Sequence, residues 1–151
     1  MNIRIEPITE KNRDAVLKLE TAEGQEGFVE SVEECLNEAV QWRQWRPVAI
    51  CDGAQVVGFA MYGHLYGRVW FDRLLIDRRC QGRAYGRQAV EALLLRICRE
   101  YPEQSCIYLS VVGGNEQAAK LYQDFGFAFN GERDTKGEYV MVKKELPRIV
   151  K

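Results

Sequence analysis

A glycine-containing turn between a strand-like run and an amphipathic run is the feature that most restricts how this chain can fold. The turn spans residues 76–86, follows the apolar run 69–76 and leads into the helix-like run 87–100. The unpaired N–H groups at a helix N-terminus, together with the helix dipole, form an anion site that needs no cationic side chain. The pattern indicates a phosphorylated ligand, although an ordinary β–α turn without a ligand fits the turn alone equally well.

The two most familiar phosphate loops do not match this turn. A Walker loop requires Gly-Lys-Ser/Thr after four intervening residues, and no such run occurs in the sequence. A Rossmann loop places Gly-x-Gly-x-x-Gly after the first strand, with an acidic residue roughly 20 positions later. Here the turn lies in the middle of the chain and contains only Gly82 and Gly86. Generic loop motifs therefore leave the ligand undecided.

The size and composition are those of one globular domain covering residues 1–151. No apolar run approaches the roughly 18 residues of a membrane helix, and the first residues alternate like a strand instead of forming a signal peptide. The five cysteines are odd in number and include no Cys-x-x-Cys pair, so neither a disulfide framework nor a zinc site is indicated. We expect a cytoplasmic protein without a metal and without a membrane segment.

The net charge is only −1, but the charges are unevenly distributed. Residues 1–38 carry ten acids and four bases, a net of −6, and the remaining residues carry twelve acids and seventeen bases, a net of +5. This layout suits a protein that holds an anionic ligand on one side and a cationic one on the other, although solvated helix surfaces explain it as well. No basic stripe interleaved with aromatic residues occurs, which argues against a nucleic-acid partner.

Hydrophobic periodicity predicts eleven elements in the order β-α-α-β-β-β-α-β-α-β-β. Ser31 and Glu34 form a capping-box pattern at the start of the second helix, and Gly126 stands where a helix would end. The predicted strands are 2–7, 47–51, 55–64, 68–76, 105–111, 127–133 and 138–145, and the predicted helices are 9–20, from 31 onward, 87–99 and 115–125. The fold class is α+β, with a single domain built on a mixed, mostly antiparallel sheet flanked by helices.

Two segments in this order resemble the GNAT N-acetyltransferase superfamily. The first is Gln81-Gly82-Arg83-Ala84-Tyr85-Gly86, which is similar to the family signature Gln/Arg-x-x-Gly-x-Gly/Ala. The second is Asn115-Glu-Gln-Ala-Ala-Lys-Leu-Tyr122-Gln-Asp-Phe125-Gly126-Phe127, similar to Asn-x-x-Ala-x-x-Leu-Tyr-x-x-x-Gly-Phe. Seven residues make nearly two helical turns, so Asn115 and Tyr122 are expected to share a face. Ala84 departs from the usual glycine, but φ is negative in a first helical turn, where alanine is acceptable.

The resemblance implies acetyl-CoA as cosubstrate, bound where the fourth and fifth strands separate. It places backbone groups of the fourth strand beside the pantetheine and thioester, and one of their amides as the donor that polarises the thioester carbonyl. It places the N–H groups of the turn around the pyrophosphate. The cofactor-binding residues implied are Leu74, Leu75, Ile76, Gln81, Gly82, Arg83, Ala84, Tyr85, Gly86, Arg87, Asn115 and Tyr122.

Within the superfamily, the chain most resembles the bacterial spermine/spermidine N-acetyltransferases, which implies a polyamine acceptor. The resemblance runs through segments such as Gly67-Arg-Val-Trp70-Phe-Asp72-Arg73 and Ile107-Tyr-Leu-Ser110. A polyamine alternates cations with methylenes, so its site should combine carboxylates with aromatic walls. Another small amine, a protein or peptide amine, and a non-catalytic acyl-CoA sensor remain open, and family members often form homodimers. The candidate acceptor residues are Glu26, Phe28, Glu30, Glu34, Tyr62 and Asp72.

Direct attack of an amine on a thioester requires a neutral amine, whereas an alkylammonium has a pKa of about 10. Strand alternation groups Asp72 with Trp70, Leu74 and Ile76, so we expect a desolvated carboxylate that serves as base or as substrate anchor. It also matches the family's acceptor-binding carboxylate. Tyr122 matches the family's general acid, which donates to the departing thiolate. His64 is an alternative base, but a histidine at a strand end is more often a packing residue.

Overall fold

A seven-stranded sheet in the order β1-β2-β3-β4-β5-β7-β6 forms the centre of the computed structural model, which describes residues 2–20, 31–80 and 84–144. All neighbouring strands are antiparallel except β4 and β5, which are parallel. The predicted element order and the mixed, mostly antiparallel sheet are therefore confirmed. The strands are β1 Ile3–Pro7, β2 Trp45–Asp52, β3 Gln55–Leu65, β4 Arg68–Ile76, β5 Ile107–Val111, β6 Ala128–Arg133 and β7 Tyr139–Lys143.

Four helices cover the two faces of the sheet: α1 Arg13–Leu17, α2 Val32–Gln41, α3 Tyr85–Glu100 and α4 Glu116–Asp124. Apolar residues of α3 and α4 pack in one core, which contains Leu93 and Tyr122. Apolar residues of α1 and α2 pack in a separate core on the other face, which contains Val16 and Leu36. The sheet therefore separates two buried cores, one on each of its faces.

Local sequence signals explain where several elements begin and end. Ser31 caps α2 as predicted: its side chain accepts the N–H of Glu34, whose carboxylate accepts the N–H of Ser31. At the end of α4, Gly126 has φ +94°, which closes the helix in the conformation that glycine adopts without strain. The predicted stop at this glycine is confirmed.

Helix α1 is much shorter than the sequence predicted. The capping position is Asn12 instead of Thr9, and the helix ends after Leu17. The side-chain amide of Asn12 accepts the N–H of Thr9 and donates to the carbonyl of Pro7, so these residues form a turn. The local hydrogen bonds of one asparagine therefore replaced the first turn of the predicted helix.

No helix in the described ranges is both long and apolar enough to cross a membrane.

Candidate active site

The cleft of this fold opens where β4 and β5 separate. These two strands pair only at Val69–Ile107 and Trp70–Tyr108, although β4 continues to Ile76 and β5 to Val111. The predicted separation of the fourth and fifth strands is thus present in the structure. A cleft of about 540 Å³ lies here, and β4, β5 and α4 contribute Asp72, Arg73, Leu74, Ser110, Val111, Asn115, Ala118 and Tyr122 to its lining.

A β-bulge at Asp72 changes which residues of β4 share a face. Met61 pairs with Arg73 and Tyr62 pairs with Phe71, so Asp72 is one extra residue in the strand. Before the bulge Val69 and Phe71 pack in the core of α3 and α4, and after it Leu74 and Ile76 do so. The prediction that strict alternation groups Trp70, Asp72, Leu74 and Ile76 was therefore wrong.

The bulge also exposes the Asp72 side chain. The desolvation expected from an apolar stripe is consequently absent, because the carboxylate faces an open cleft instead of a packed surface. Asp72 lines the cleft, and its place beside the reacting groups stays a prediction. The Asp72 carboxylate can therefore attract a cationic ligand through its negative charge.

Tyr122 occupies the α4 side of the same cleft. Its ring makes edge contacts with Phe71 and Phe127 at centroid distances of 6.0 and 5.9 Å, and the residue is 9% exposed. Burial raises the pKa of the phenol to about 12, although the charge of Arg73 acts in the opposite direction. Within the described part of the chain the hydroxyl makes no hydrogen bond. Tyr122 is thus a neutral donor whose proton is available to a ligand.

Asn115 caps α4, and the cap explains its place in the motif. Its side-chain oxygen accepts the N–H of Ala118 at 3.3 Å, which satisfies one unpaired donor of the helix N-terminus. Asn115 and Tyr122 both line the cleft, in agreement with their predicted common face. The asparagine therefore holds the helix that carries the tyrosine.

The phosphate turn is only partly described, since Gln81, Gly82 and Arg83 lie outside the described residues. Ala84 has φ +60°, in the left-handed region, so the prediction of an unstrained negative φ was wrong. Ala84 precedes the helix as its N-cap and does not belong to its first turn. The left-handed conformation is the physical reason that glycine suits this position.

The following residues of the turn are held by contacts of their side chains. The buried Tyr85 donates a hydrogen bond from its hydroxyl to Asp52 at 2.6 Å. The exposed Arg87 forms an ion pair with Asp124 at the end of α4. Gly86 is the second residue of α3 and has Leu121 as the nearest neighbour, so a methyl group would be tolerated there. The first turn of α3 is thus anchored to β2 and α4.

The β4 residues predicted beside the thioester are divided between the faces of the sheet. Leu74 lines the cleft, and its side chain packs with that of Ile76 against the core of α3 and α4. Leu75 packs in the core of α1 and α2. The side chains of this segment therefore point to different faces of the sheet, and a ligand along the cleft can contact the segment as a whole only through its backbone.

The predicted acceptor residues do not form one cluster. Glu26, Phe28 and Glu30 lie outside the described residues. Glu34 is exposed in the capping box, where the hydrogen bond from the Ser31 backbone lowers the pKa of its carboxyl, helped by the charges of Arg73 and Lys136. It is a capping residue on the α2 face and does not line the cleft.

Tyr62 does not belong to the acceptor site. It is 1% exposed, and its hydroxyl donates to the carboxylate of Glu100 at 2.8 Å and accepts from Arg96 at 3.0 Å. Its ring packs in the core of α3 and α4, on the face opposite α2. Desolvation raises the pKa of this phenol to about 12. Alternation along β3 places Tyr62 with Ala60 in this core, so its prediction as a cation–π wall was wrong.

His64, the alternative base, lies outside the cleft lining. Its ring stacks on Tyr101 at 6.3 Å and is 3.4 Å from the side-chain nitrogen of Gln104. Across residues 2–20, 31–80 and 84–144, no group of three or more His, Cys, Asp or Glu side chains is arranged to hold a metal. The packing interpretation of His64 fits these contacts.

The largest feature missed from the sequence is the tryptophan-rich wall of the cleft. All three tryptophans of the chain line it, and Glu38 of α2 lies with them. We call Glu38, Trp42, Trp45 and Trp70 the α2 wall. A signal was present, because Glu38 and Trp42 are four residues apart and therefore share a helical face. Trp42 and Trp45, however, follow a helix in a stretch that looked like an ordinary connection.

Comparison with known proteins agrees with this geometry. The model of the acetyltransferase (GNAT) family matches residues 14–127. Spermine/spermidine N(1)-acetyltransferase of Bacillus subtilis (strain 168) is 41% identical to this chain over 152 residues, covering 95% of this chain and 99% of that protein.

Solved structures match the fold at low sequence identity. A spermidine N-acetyltransferase from Vibrio cholerae in complex with CoA and spermine has a TM-score of 0.69 and 17% identity, covering 93% of both chains. An aminoglycoside acetyltransferase in complex with coenzyme A has a TM-score of 0.77 and 17% identity, covering 95% of both chains. The family model spans most of the sequence, and the Bacillus relative aligns along nearly its whole length: the chain belongs to the acetyltransferase (GNAT) family.

Proposed function

We propose that this protein transfers the acetyl group of acetyl-CoA to a primary amine of spermine or spermidine, by direct attack of the amine on the thioester. The observation that carries the proposal is that one cleft brings together the free phenol of Tyr122, the exposed carboxylate of Asp72 and the α2 wall. The 41% identity to a spermine/spermidine N(1)-acetyltransferase supports the same acceptor class.

The residues around the opening between β4 and β5 suit acetyl-CoA. Beyond Trp70, the edge of β4 that faces β5 has no strand partner in the described ranges, which leaves space for a ligand along this edge. Helix α3 begins at Tyr85, and a helix N-terminus, whose first N–H groups have no partner within the helix, favours a pyrophosphate. We assign the backbone of Leu74–Ile76 to the pantetheine side and that of Tyr85–Arg87 to the phosphate side, with Gln81, Gly82 and Arg83 as further phosphate donors.

On the acceptor side, we assign two roles to Asp72: it binds the ammonium group of the amine, and it accepts the proton that this group must lose. An alkylammonium with a pKa of about 10 must lose a proton before or during attack. A carboxylate exposed to solvent can hold the cation by charge and pass the proton to water. Anchoring is the larger part of this role, because the structure gives Asp72 an open environment instead of a desolvated one.

Tyr122 is assigned as the proton donor to the departing thiolate. Its phenol is buried among aromatic rings and is neutral at physiological pH, since its pKa is raised to about 12. A thiolate whose conjugate acid has a pKa of about 8.5 does not take this proton completely at equilibrium. The contribution is a hydrogen bond to developing negative charge, which slows turnover when removed but does not abolish it.

A second acceptor class is favoured by the cations of the lining. Arg68, Arg73, Arg133 and Lys136 also contribute to the cleft, and an amine that carries a carboxylate, such as a peptide N-terminus, would use them. Arg68 is occupied, however, because it makes a two-point ion pair with Glu132 at 2.7 and 3.1 Å. Arg133 is also engaged, since it lies over the ring of Tyr139 and donates to its hydroxyl. Polyamines therefore remain our first proposal.

The test is acetyl-CoA-dependent thiol release with spermine, spermidine, a monoamine and a short peptide as acceptors. We expect spermidine and spermine to give the highest kcat/KM. Preference for the peptide would support the second class, and acetyl-CoA binding without acceptor-stimulated thiol release would support a sensor.

A cytoplasmic location belongs to the proposal, because all five cysteines are free, as in proteins of reducing compartments. We also propose that the protein forms a homodimer. Light scattering of the purified protein would give its molar mass in solution and so test this.

A further inference from the structure

The α2 wall is an aromatic surface that the reaction assigned to Asp72 and Tyr122 does not use. Trp42 is 46% exposed, which is unusual for a tryptophan, since this side chain contributes most when it is covered. Trp70 contacts Tyr108 with ring centroids 5.5 Å apart. An exposed indole on a cleft wall is the type of surface that binds a cation or an apolar chain.

The position of Trp45 within this wall depends on a close approach to β3. A Cβ atom at Gly63 would lie 2.9 Å from the Trp45 ring and 2.5 Å from the carbonyl of Gln44. Glycine at position 63 therefore lets this indole and the backbone of Gln44 approach the strand this closely. The indole nitrogen of Trp45 is buried, with no acceptor among the described residues. Trp45 and Trp70 are therefore packed against neighbouring residues, whereas Trp42 is exposed to solvent.

The carboxylates of the cleft differ in whether they already have partners. Glu132 is paired with Arg68, and Asp134 accepts the backbone N–H groups of Lys136 and Glu138, both at 2.9 Å. Asp72 and Glu138 also take part in interactions with neighbouring residues. Among the described residues that line the cleft, Glu38 is the one carboxylate whose side chain has neither a hydrogen bond nor an ion pair.

Glu38 is also unfavourably placed for its own helix. It lies in the last turn of α2, where the negative end of the helix dipole disfavours an acid, and no basic residue occupies that turn. The helix gains nothing from this charge. Residues that break a local rule without a local benefit are often retained for function.

We infer that Glu38 and Trp42 bind a second ammonium group of the acceptor, and thereby select amines that carry more than one cation. This inference rests on the proposed function and assigns its specificity to two residues outside the reacting centre. Glu38 supplies the counter-charge, Trp42 supplies a cation–π face one helical turn away, and the rings of Trp45 and Trp70 cover intervening methylenes.

The test compares kcat/KM for spermidine with kcat/KM for butylamine, which has one cation, in the wild-type protein and in Glu38→Gln. We expect this ratio to fall about five- to tenfold in the variant, with kcat/KM for butylamine unchanged. Trp42→Leu should lower the ratio about threefold or more. Raising the ionic strength should lower the wild-type ratio, because a partly exposed charge pair is screened.

Glu33→Gln is the matched control, since Glu33 is exposed on the same helix and does not line the cleft. It should leave the ratio unchanged. Thermal unfolding should give Glu38→Gln a Tm equal to or slightly above that of the wild type, so a lower ratio would not reflect misfolding.

Binding can be followed separately from turnover, because all three tryptophans line the cleft and their fluorescence should respond to spermidine. An unchanged ratio in Glu38→Gln, with unchanged spermidine affinity, would overturn the inference while leaving polyamine acetylation intact. Absence of thiol release with any polyamine in the wild type would instead overturn the proposed function. A wild-type protein that acetylates spermidine and butylamine equally well would overturn the inference alone.

Discussion

The two sides of the cleft are built in different ways. The side assigned to acetyl-CoA consists of the β4 backbone, the first turn of α3 and the capped helix α4. The side assigned to the amine consists of side chains from α2, β2 and β4, with charged residues from the β6–β7 connection. The first side recognises its ligand mainly through backbone groups, which local motifs specify. The second depends on side chains that only the sheet brings together, so it is free to differ between relatives.

The largest effect should come from Tyr122, the residue that we propose as proton donor to the departing thiolate. Tyr122→Phe removes the hydrogen bond to developing thiolate charge, and we expect kcat to fall about 10- to 100-fold with little change in acetyl-CoA affinity. Steady-state kinetics and calorimetric titration of acetyl-CoA measure the two quantities. Tyr101→Phe, outside the cleft lining, serves as control. Full activity of Tyr122→Phe would remove the tyrosine from the chemistry.

Asp72→Asn should affect the use of the amine and leave the use of acetyl-CoA unchanged. Loss of the exposed carboxylate should lower kcat/KM for spermidine about tenfold or more, while KM for acetyl-CoA stays near the wild-type value. An increase in KM for acetyl-CoA of the same size would instead place Asp72 on the cofactor side. Initial rates with each substrate varied in turn distinguish the two outcomes.

Alkaline pH should lower the stability of the fold through two buried tyrosines, of which only Tyr122 lines the cleft. The pKa values of Tyr62 and Tyr122 are raised to about 12, so their neutral forms stabilise the fold fully below the unfolded-state pKa of about 10. This stability is lost as the pH rises toward 12, by about 1 kcal/mol for each tyrosine between pH 9 and pH 11.

Denaturant unfolding at these two pH values measures the loss. The free energy of unfolding of Tyr62→Phe should fall less steeply than that of the wild type, while Tyr66→Phe, whose ring is 87% exposed, should follow the wild type. Equal slopes for Tyr62→Phe and the wild type would contradict the burial argument. Acceptor selectivity should not change in Tyr62→Phe, since this phenol lies on the opposite face of the sheet from α2.

The smallest effect should come from the turn before α3. Ala84→Gly removes a left-handed alanine but adds freedom to the unfolded chain, so we expect a gain of about 0–1 kcal/mol in the free energy of unfolding. Urea unfolding measures it, and acetyl-CoA affinity should be equal to or slightly above that of the wild type. A loss of more than about 1 kcal/mol would show that the methyl group stabilises the turn.

Features that depend on local backbone geometry could be predicted from short sequence patterns. The capping box at Ser31, the helix stop at Gly126 and the element order could be predicted because each depends on neighbours within a few residues. Alternation along β4 could not be extended through Asp72, since a bulge depends on the pairing with β3. Tyr62 was assigned to the wrong environment because its residue type does not reveal which face of β3 the sheet buries under α3.

The sequence alone determined the family and the cofactor class, because their motifs are short and act through local backbone structure. The tertiary structure decided which side chains surround the acceptor. Glu38, Trp42, Trp45 and Trp70 come from different elements, and they meet only because the sheet places α2 beside the opening between β4 and β5. It also decided the conformation of the phosphate turn at Ala84, where the backbone entering α3 has a positive φ that the position in the motif did not reveal.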